Sequence, residues 1–159
     1  MSNYGFSDYE SMILTRLAPL AAPAGRVPVL RGFAGDIALT EAGLFILLNQ
    51  FPAVLVEILE GTYKPASIPY WYQVVTVLLH VCGRSLRSQD EARDGSSGVY
   101  GLLADIRTLL LGWYPAADLL PLLLISETKA ATGLTEANEW IVVYHARYQF
   151  TNPRIQEVS

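Results

Sequence analysis

Residues 139–150 alternate, one by one, between two kinds of side chain, and this alternation constrains the fold more than any other feature of the sequence. One set is apolar or aromatic: Trp140, Val142, Tyr144, Ala146, Tyr148 and Phe150. The other set is mixed: Ile141, Val143, His145, Arg147 and Gln149. Because successive side chains of a β-strand point to opposite faces, the pattern predicts a strand with its first set in a core against helices. We expect the second face to be half solvated or to meet another subunit.

The rest of the chain divides into segments with helical spacing and short apolar runs, separated by Pro and Gly. Apolar residues at helical spacing predict helices over residues 7–18, 40–51 and 99–111. The first would open with a capping box formed by Ser7 and Glu10. Apolar or alternating runs predict three further strands, over residues 53–60, 71–82 and 119–127. Residues 21–35 are rich in Pro and Gly and are predicted to be an irregular connection.

This order of elements predicts an α+β fold: a largely antiparallel four-stranded sheet with helices packed on one face. A length of 159 residues is that of a single domain, here residues 1–159. A flexible loop is expected at about 84–98, and a short polar tail at 152–159.

Composition narrows the class of function. Hydrophobic residues make up 52% and charged residues 16%, against about 25% charged in typical soluble domains. A small domain this poor in charge is expected to cover part of its surface with another subunit. The net charge is −4, and no basic stripe for phosphate binding occurs, so sequence-specific nucleic-acid binding is not expected. The nearest cluster, Arg84, Arg87 and Arg93, is interleaved with acidic residues such as Asp90.

Neither a signal peptide nor a membrane span is expected. Residues 1–10 contain no Lys or Arg, whereas a secretory signal needs a positive start before its apolar run. Residues 65–83 lack charge, but Pro65 and Pro69 interrupt them. Their apolar part, residues 74–82, is too short for a helical span and rich in β-branched residues, so a buried strand is the better interpretation.

A search for catalytic motifs gives no constellation. The sequence contains no P-loop, no dinucleotide-binding glycine turn and no nucleophile elbow. His80, Cys82 and His145 are the one set that could build a zinc site. Nothing in their spacing requires them to meet, and a small buried Cys is the ordinary case. We therefore predict structural roles for all three, and no catalytic, cofactor-binding or metal-binding residue.

One resemblance to a known family comes from the order of several landmarks. These are Pro52-Ala53-Val54, Trp71 at the start of an apolar strand, the 84–98 loop, Tyr100-Gly101-Leu102 opening a helix, Leu111-Gly112-Trp113-Tyr114-Pro115 closing it, and Trp140 opening the last strand. In this order the sequence resembles minor tail proteins of Mu-like phages and prophages that are similar to tail terminators. The resemblance covers residues 7–150.

The resemblance implies a structural virion protein, without catalysis or cofactor, that is assembled in the host cytoplasm. Such a subunit forms a ring, usually a hexamer, on the head-proximal end of the tail. The ring stops polymerisation of the tail tube and offers a docking surface to the head-tail connector. The implied partners are other copies of the chain, the tail tube protein and the connector protein, and no membrane.

Within this frame, the residues of the 84–98 loop, Arg84, Arg87, Asp90 and Arg93, are predicted to touch the tube or a neighbouring subunit. Two alternatives stay open: a head-tail connector or adaptor of the virion, and a small α+β metal-dependent enzyme built on His80, Cys82 and His145.

Overall fold

A computed structural model describes residues 4–40, 43–67, 70–85, 93, 98–134 and 139–156. Two α-helices occur in these ranges, α1 (Phe6–Leu17) and α2 (Val99–Leu110), and a 3₁₀ turn (Ala18–Leu20) follows α1. The strands are β1 (Val29–Gly32), β2 (Ile37–Thr40), β3 (Gly43–Ile46), β4 (Ala53–Pro65), β5 (Tyr70–Ser85), β6 (Leu123–Leu134) and β7 (Trp140–Gln156). Neither helix is long and apolar enough to cross a membrane.

The main sheet has the strand order β1-β4-β5-β7-β6. β1 pairs with β4 in parallel, and every other pair in this sheet is antiparallel. The expected α+β fold with a largely antiparallel sheet is confirmed, but the expected number of four strands is wrong. The fifth strand, β1, lies within residues 21–35, where the density of Pro and Gly conceals a strand of four residues.

The helix predicted over residues 40–51 is also wrong. β2 and β3 form a separate antiparallel hairpin there, with Ile37 opposite Ile46 and Leu39 opposite Leu44. Ile37 and Ile46 pack against a buried cluster that includes Phe51. A short apolar run fits helical and strand spacing equally well, so tertiary packing decided between them.

The predicted strands exist but are longer than their apolar runs. β4 and β5 extend to Pro65 and Ser85. β6 begins only at Leu123, so residues 119–122 of the predicted strand do not belong to it, and it continues to Leu134, beyond the predicted end at residue 127. β7 takes in residues 152–156 of the expected polar tail. Pro153 is accommodated because the register of β7 against β5 shifts between Trp71 and Gln73, where Pro153 has no pairing partner. Backbone hydrogen bonds to a neighbouring strand therefore extend these strands through polar residues that show no hydrophobic pattern.

Helix α2 occupies nearly the predicted residues, whereas α1 begins one residue earlier than predicted and has a different cap. The backbone N–H of Gly5 donates to Asp8 Oδ2 at 2.7 Å, and Gly5 is the N-cap residue. The expected capping box of Ser7 and Glu10 does not form, because the helix already includes Ser7.

The larger buried cluster joins both helices to alternate residues of the sheet. Its members include Tyr9, Ile13 and Leu17 of α1, Leu102, Ile106 and Leu110 of α2, Val54 and Val56 of β4, Val75, Val77, Leu79 and Val81 of β5, and Val142, Ala146, Tyr148 and Phe150 of β7. The last four belong to the apolar set predicted to face a core. Ile141 and Val143, from the second set, belong to the smaller cluster with Ala53, Cys82 and Phe51.

A buried polar network ties α1 to the sheet. Tyr9 donates its hydroxyl proton to Gln73 Oε1 at 2.6 Å and accepts a hydrogen bond from Asn152 Nδ2 at 3.2 Å. Gln73 Nε2 in turn donates to the hydroxyl of Tyr63 at 2.9 Å. Tyr9, Gln73 and Asn152 are all buried, and burial raises the pKa of the Tyr9 phenol. The network fixes helix α1 over the ends of β5 and β7.

Replacing Tyr9 by Phe should destabilise the fold by about 1–3 kcal/mol, since Gln73 and Asn152 would each lose a buried hydrogen-bond partner. Urea denaturation measures the free energy of unfolding. Tyr100→Phe is the matched control, because the Tyr100 ring is exposed and its hydroxyl lies 3.4 Å from the Tyr144 hydroxyl, outside the buried network. Equal midpoints for the two variants would contradict the role assigned to Tyr9.

Candidate functional site

The structure describes two of the four residues of the 84–98 loop that were predicted to form an interface. Arg84 belongs to β5, where its Nη1 lies 3.5 Å from Glu139 Oε1 and its guanidinium lies 5.1 Å from the centre of the Phe51 ring. Arg93 is half-buried, and its charge acts on Tyr144. Arg87 and Asp90 lie outside the described residues. Arg84 is thus held by the fold at the base of the predicted loop.

The two histidines meet on the sheet. His80 of β5 and His145 of β7 are directly opposite each other, and His145 Nε2 lies 3.1 Å from His80 Nδ1. The other nitrogen of His80, Nε2, lies 3.1 Å from Glu57 Oε1 on β4. Phe33 stacks on the His80 ring, with ring centres 3.9 Å apart and planes inclined by 10°. We call Glu57, His80 and His145 the histidine chain.

The histidine chain is consistent with two neutral imidazoles. If His80 donates its Nε2–H to Glu57, its Nδ1 is free to accept the Nε2–H of His145. Burial lowers the pKa of His80, partly offset by the hydrogen bond to Glu57. Burial also lowers the pKa of His145, and the nearby charge of His80 lowers it further. A proton added to this chain therefore meets both desolvation and, at the second histidine, a like charge.

Cys82 lies on the same face of β5 as His80 but in an apolar environment. It is fully buried among Ala53, Ile141 and Val143, and burial raises the pKa of its thiol to about 12. Over the ranges that the structure describes, no group of three or more His, Cys, Asp or Glu side chains could hold a metal ion. The fold brings the two histidines together, but Cys82 does not join them as a third ligand.

Glu57 is the member of this cluster that the sequence does not reveal. Alternation along residues 53–60 places it on one face of a strand, but the register that sets it beside His80 is a property of the β4–β5 pairing. A one-residue slip in that register would move it to the other face.

Stability should fall as pH falls from about 7.5 to about 5, because both histidines bind protons more weakly in the folded state than in the unfolded state. The stabilising contribution is complete above the unfolded pKa, about 6.5, and is lost as pH drops through the lower folded values. Urea midpoints measured across this range test the prediction.

The double variant His80→Gln/His145→Gln is the control for this dependence, and its midpoint should change much less over the same range. A wild-type midpoint that rises as the pH is lowered would contradict the assignment of neutral histidines.

A separate feature is a set of exposed apolar side chains in the outer strand and in the segments beside its start. Five of them are each 46–59% exposed: Leu123 and Ile125 in β6, Leu120 just before it, and Leu111 and Tyr114 in the segment after α2 whose backbone is hydrogen-bonded to Leu122. We call these five residues the apolar edge. Single exposed apolar residues are normal, but a group of them indicates a contact surface.

Backbone hydrogen bonds hold the apolar edge together. Gly112 N–H donates to the carbonyl of Leu122, and Leu122 N–H donates to the carbonyl of Trp113, each at 2.9 Å. Leu120 N–H donates to the carbonyl of Thr151, also at 2.9 Å. The positive φ of Gly112, 76°, turns the chain at the end of α2 so that it can meet residue 122. The apolar edge is therefore anchored to both α2 and β7.

The sequence alone does not identify the apolar edge. Residues 119–125 are almost continuously apolar, and a continuous run does not show which side chains are exposed. The structure separates them: Leu119 and Leu122 are buried, while Leu120, Leu123 and Ile125 are exposed. Ile125 is the extra residue at a register shift between Leu124 and Ser126.

A shallow groove of about 520 Å³ lies between α1 and the chain that follows α2, lined by residues that include Met12, Arg16 and Trp113. Arg16 Nε donates to the carbonyl of Leu109 at 2.7 Å, and its guanidinium lies 5.5 Å from the centre of the Trp113 ring. The charged group of the groove is thus already engaged in joining α1 to α2.

Comparison of the sequence with models of known protein families gives no match, and neither does comparison with curated proteins. The proposal for function rests on the arrangement of the residues and on the resemblance described above.

Proposed function

We propose that this chain is a structural subunit of a phage tail: the terminator that forms a ring on the head-proximal end of the tail tube. In this role it stops tube polymerisation and presents a docking surface to the head-tail connector. The observation that carries the proposal is the apolar edge, because exposed apolar side chains of this size are best explained by contact with another protein.

The apolar edge suits a ring subunit in particular. A subunit in a ring makes two different lateral contacts, so that the surface on one side meets a second surface on the next copy. Leu111, Tyr114 and Leu123 are more than half exposed in one copy, and burying such side chains is favourable. In this arrangement the buried cluster that both helices share with the sheet stays inside each copy, and the apolar edge meets the neighbouring copy.

The net negative charge of the chain supports the proposal of a ring through which DNA passes. The net charge is −4, and a negative lumen repels phosphate, so DNA would pass without binding. We assign no catalytic step, cofactor or metal to the chain. We propose that the 84–98 loop contacts the tube or a neighbouring subunit and that Arg84 anchors the base of this loop.

An adaptor of the head-tail connector is the second candidate, since the same apolar edge would then bind a different protein. The two candidates differ in what covers the edge: another copy of this chain in a terminator, or a connector protein in an adaptor. The size of the purified protein therefore separates them.

Purified protein should assemble through the apolar edge. A ring of six would have a mass of about 105 kDa, six times the 17.5 kDa of one chain. Light scattering after size exclusion measures this mass, and negative-stain images should show a central hole. Leu123→Glu/Ile125→Glu should reduce the mass to that of one chain, since it places two charges in the apolar contact.

Leu47→Glu is the control, because Leu47 is 63% exposed and lies outside the apolar edge. It should assemble as the wild type does. A double variant that forms the same rings as the wild type would contradict the proposal, as would a wild type that stays at 17.5 kDa both alone and mixed with tail tube protein.

Deleting residues 86–97 should leave a folded subunit that no longer assembles. The deletion keeps Arg84 and its contacts with Glu139 and Phe51. Circular dichroism and a urea transition close to that of the wild type would show that the fold is intact. Normal rings and normal tails from the shortened chain would remove the loop from the proposed interface.

A further inference from the structure

Two stretches of strand backbone lie on opposite sides of the main sheet without a pairing partner in the part of the chain that the structure describes. On one side, β6 is the last strand in the order. On the other side, β1 covers only residues 53–56 of β4, and Phe33 N–H donates to the carbonyl of Val56 at 2.9 Å. Residues 57–65 of β4 continue beyond β1. Unpaired strand backbone is a template for another strand.

Each of these stretches exposes an apolar residue at a bulge. The register of β4 against β5 shifts between Ile58 and Glu60, which leaves Leu59 as the extra residue, and it is 39% exposed. The register of β6 shifts in the same way at Ile125, which is 48% exposed. Tyr63 adds a second exposed apolar side chain to the β4 stretch. A bulge twists an edge, and charged side chains are a separate means of protecting it; these two bulges expose Leu and Ile instead of charge.

The directions of the two stretches are compatible with pairing. β4 is antiparallel to β5, β5 to β7, and β7 to β6, so β6 runs opposite to β4. When a second copy is placed beside the first in the same orientation, its β4 meets β6 of the first copy in antiparallel sense. Antiparallel pairing is the slightly more stable kind.

Charge does not oppose this contact. The β4 stretch exposes one acidic and one basic residue, Glu60 and Lys64. On β6, Lys129 is exposed, and Glu127 is already paired with Arg107 of α2 at 3.2 Å. Neither stretch carries charges of a single sign that would repel the other.

We propose that β6 of one copy pairs with residues 57–65 of β4 in the next copy, so that the five-stranded sheets join edge to edge. This inference rests on the proposed function, in that it assumes that copies of the chain assemble. It identifies the occupant of the apolar edge as the β4 stretch of a second copy. Pairing of β6 with another β6 would satisfy one edge and end at a dimer, whereas β6 with β4 uses both edges and closes a ring.

Thiol cross-linking tests the pairing, because the native Cys82 is fully buried and unreactive. Leu59→Cys/Ile125→Cys in one chain, treated with a short bismaleimide, should give a ladder of multimers on a denaturing gel. Each single variant should give none. Each copy then carries a new thiol on only one of its two sheet edges, so no contact between copies brings two new thiols together. Leu47→Cys/Ile125→Cys is the control pair and should also give none.

A second pair, Glu60→Cys/Ser126→Cys, replaces polar side chains next to the first pair and keeps the apolar contacts. With Leu59 opposite Ile125 in antiparallel sense, these two positions are diagonal neighbours, about 7–8 Å apart. It covers the case in which the first pair weakens assembly, and it should give the same ladder. A cross-linked dimer from Ile125→Cys alone would overturn the inference in favour of β6 with β6.

The mass of each uncross-linked variant separates the inference from the proposed function. Rings of wild-type mass in which neither pair cross-links would overturn the strand pairing and leave the ring proposal standing. A wild-type protein that stays monomeric both alone and mixed with tail tube protein would overturn both.

Discussion

The pairing of β5 with β7 is the interaction on which the rest of the structure depends. The two strands are in register from Tyr70 opposite Gln156 to Ser85 opposite Trp140, with a single shift near Trp71. This pairing brings alternate apolar residues of both strands onto one face, where α1 and α2 contribute to the same buried cluster. It also fixes the opposite face, on which His80 meets His145.

Both faces of this central pair are used inside the chain, whereas the edges of the sheet are largely unpaired within the residues that the structure describes. One face packs with the helices, and the other carries a smaller cluster with Phe51, Cys82 and Val143, against which the β2–β3 hairpin packs. In the described part of the chain, the outer strand β6 and the far half of β4 keep unpaired backbone together with exposed Leu, Ile and Tyr side chains. The proposed ring follows from this distribution, since it assigns association to the surfaces that the fold leaves open.

Much of the fold could be predicted because burial imposes a period on the sequence. The alternation of residues 139–150 marked β7 and its buried face, and the spacing of residues 99–110 marked α2. The β2–β3 hairpin and the short β1 could not be predicted, since a four-residue strand shows too little of any period and depends on what covers it. The predicted strands ended too early, because backbone pairing with a neighbouring strand extends them through polar segments such as residues 128–134.

The candidate sites were less predictable than the fold, because they depend on register and exposure. The sequence identifies His80 and His145 as residues of interest, but only the β5–β7 register makes them neighbours, and only the β4–β5 register adds Glu57. The apolar edge is concealed in a continuous apolar run. The interface role of Arg84, Arg87, Asp90 and Arg93 remains a prediction. The structure places Arg84 at the end of β5.

The central claim is that the apolar edge, with the β6 backbone beside it, is the assembly surface. Hydrogen exchange of the backbone amides of residues 123–129 tests it most directly, measured at a concentration where the protein is assembled and again after dilution to the monomer. The account predicts slow exchange in the assembly and fast exchange in the monomer for the β6 amides that point away from β7, because these would gain strand partners on assembly. Equal exchange of these amides in the two states would contradict the claim.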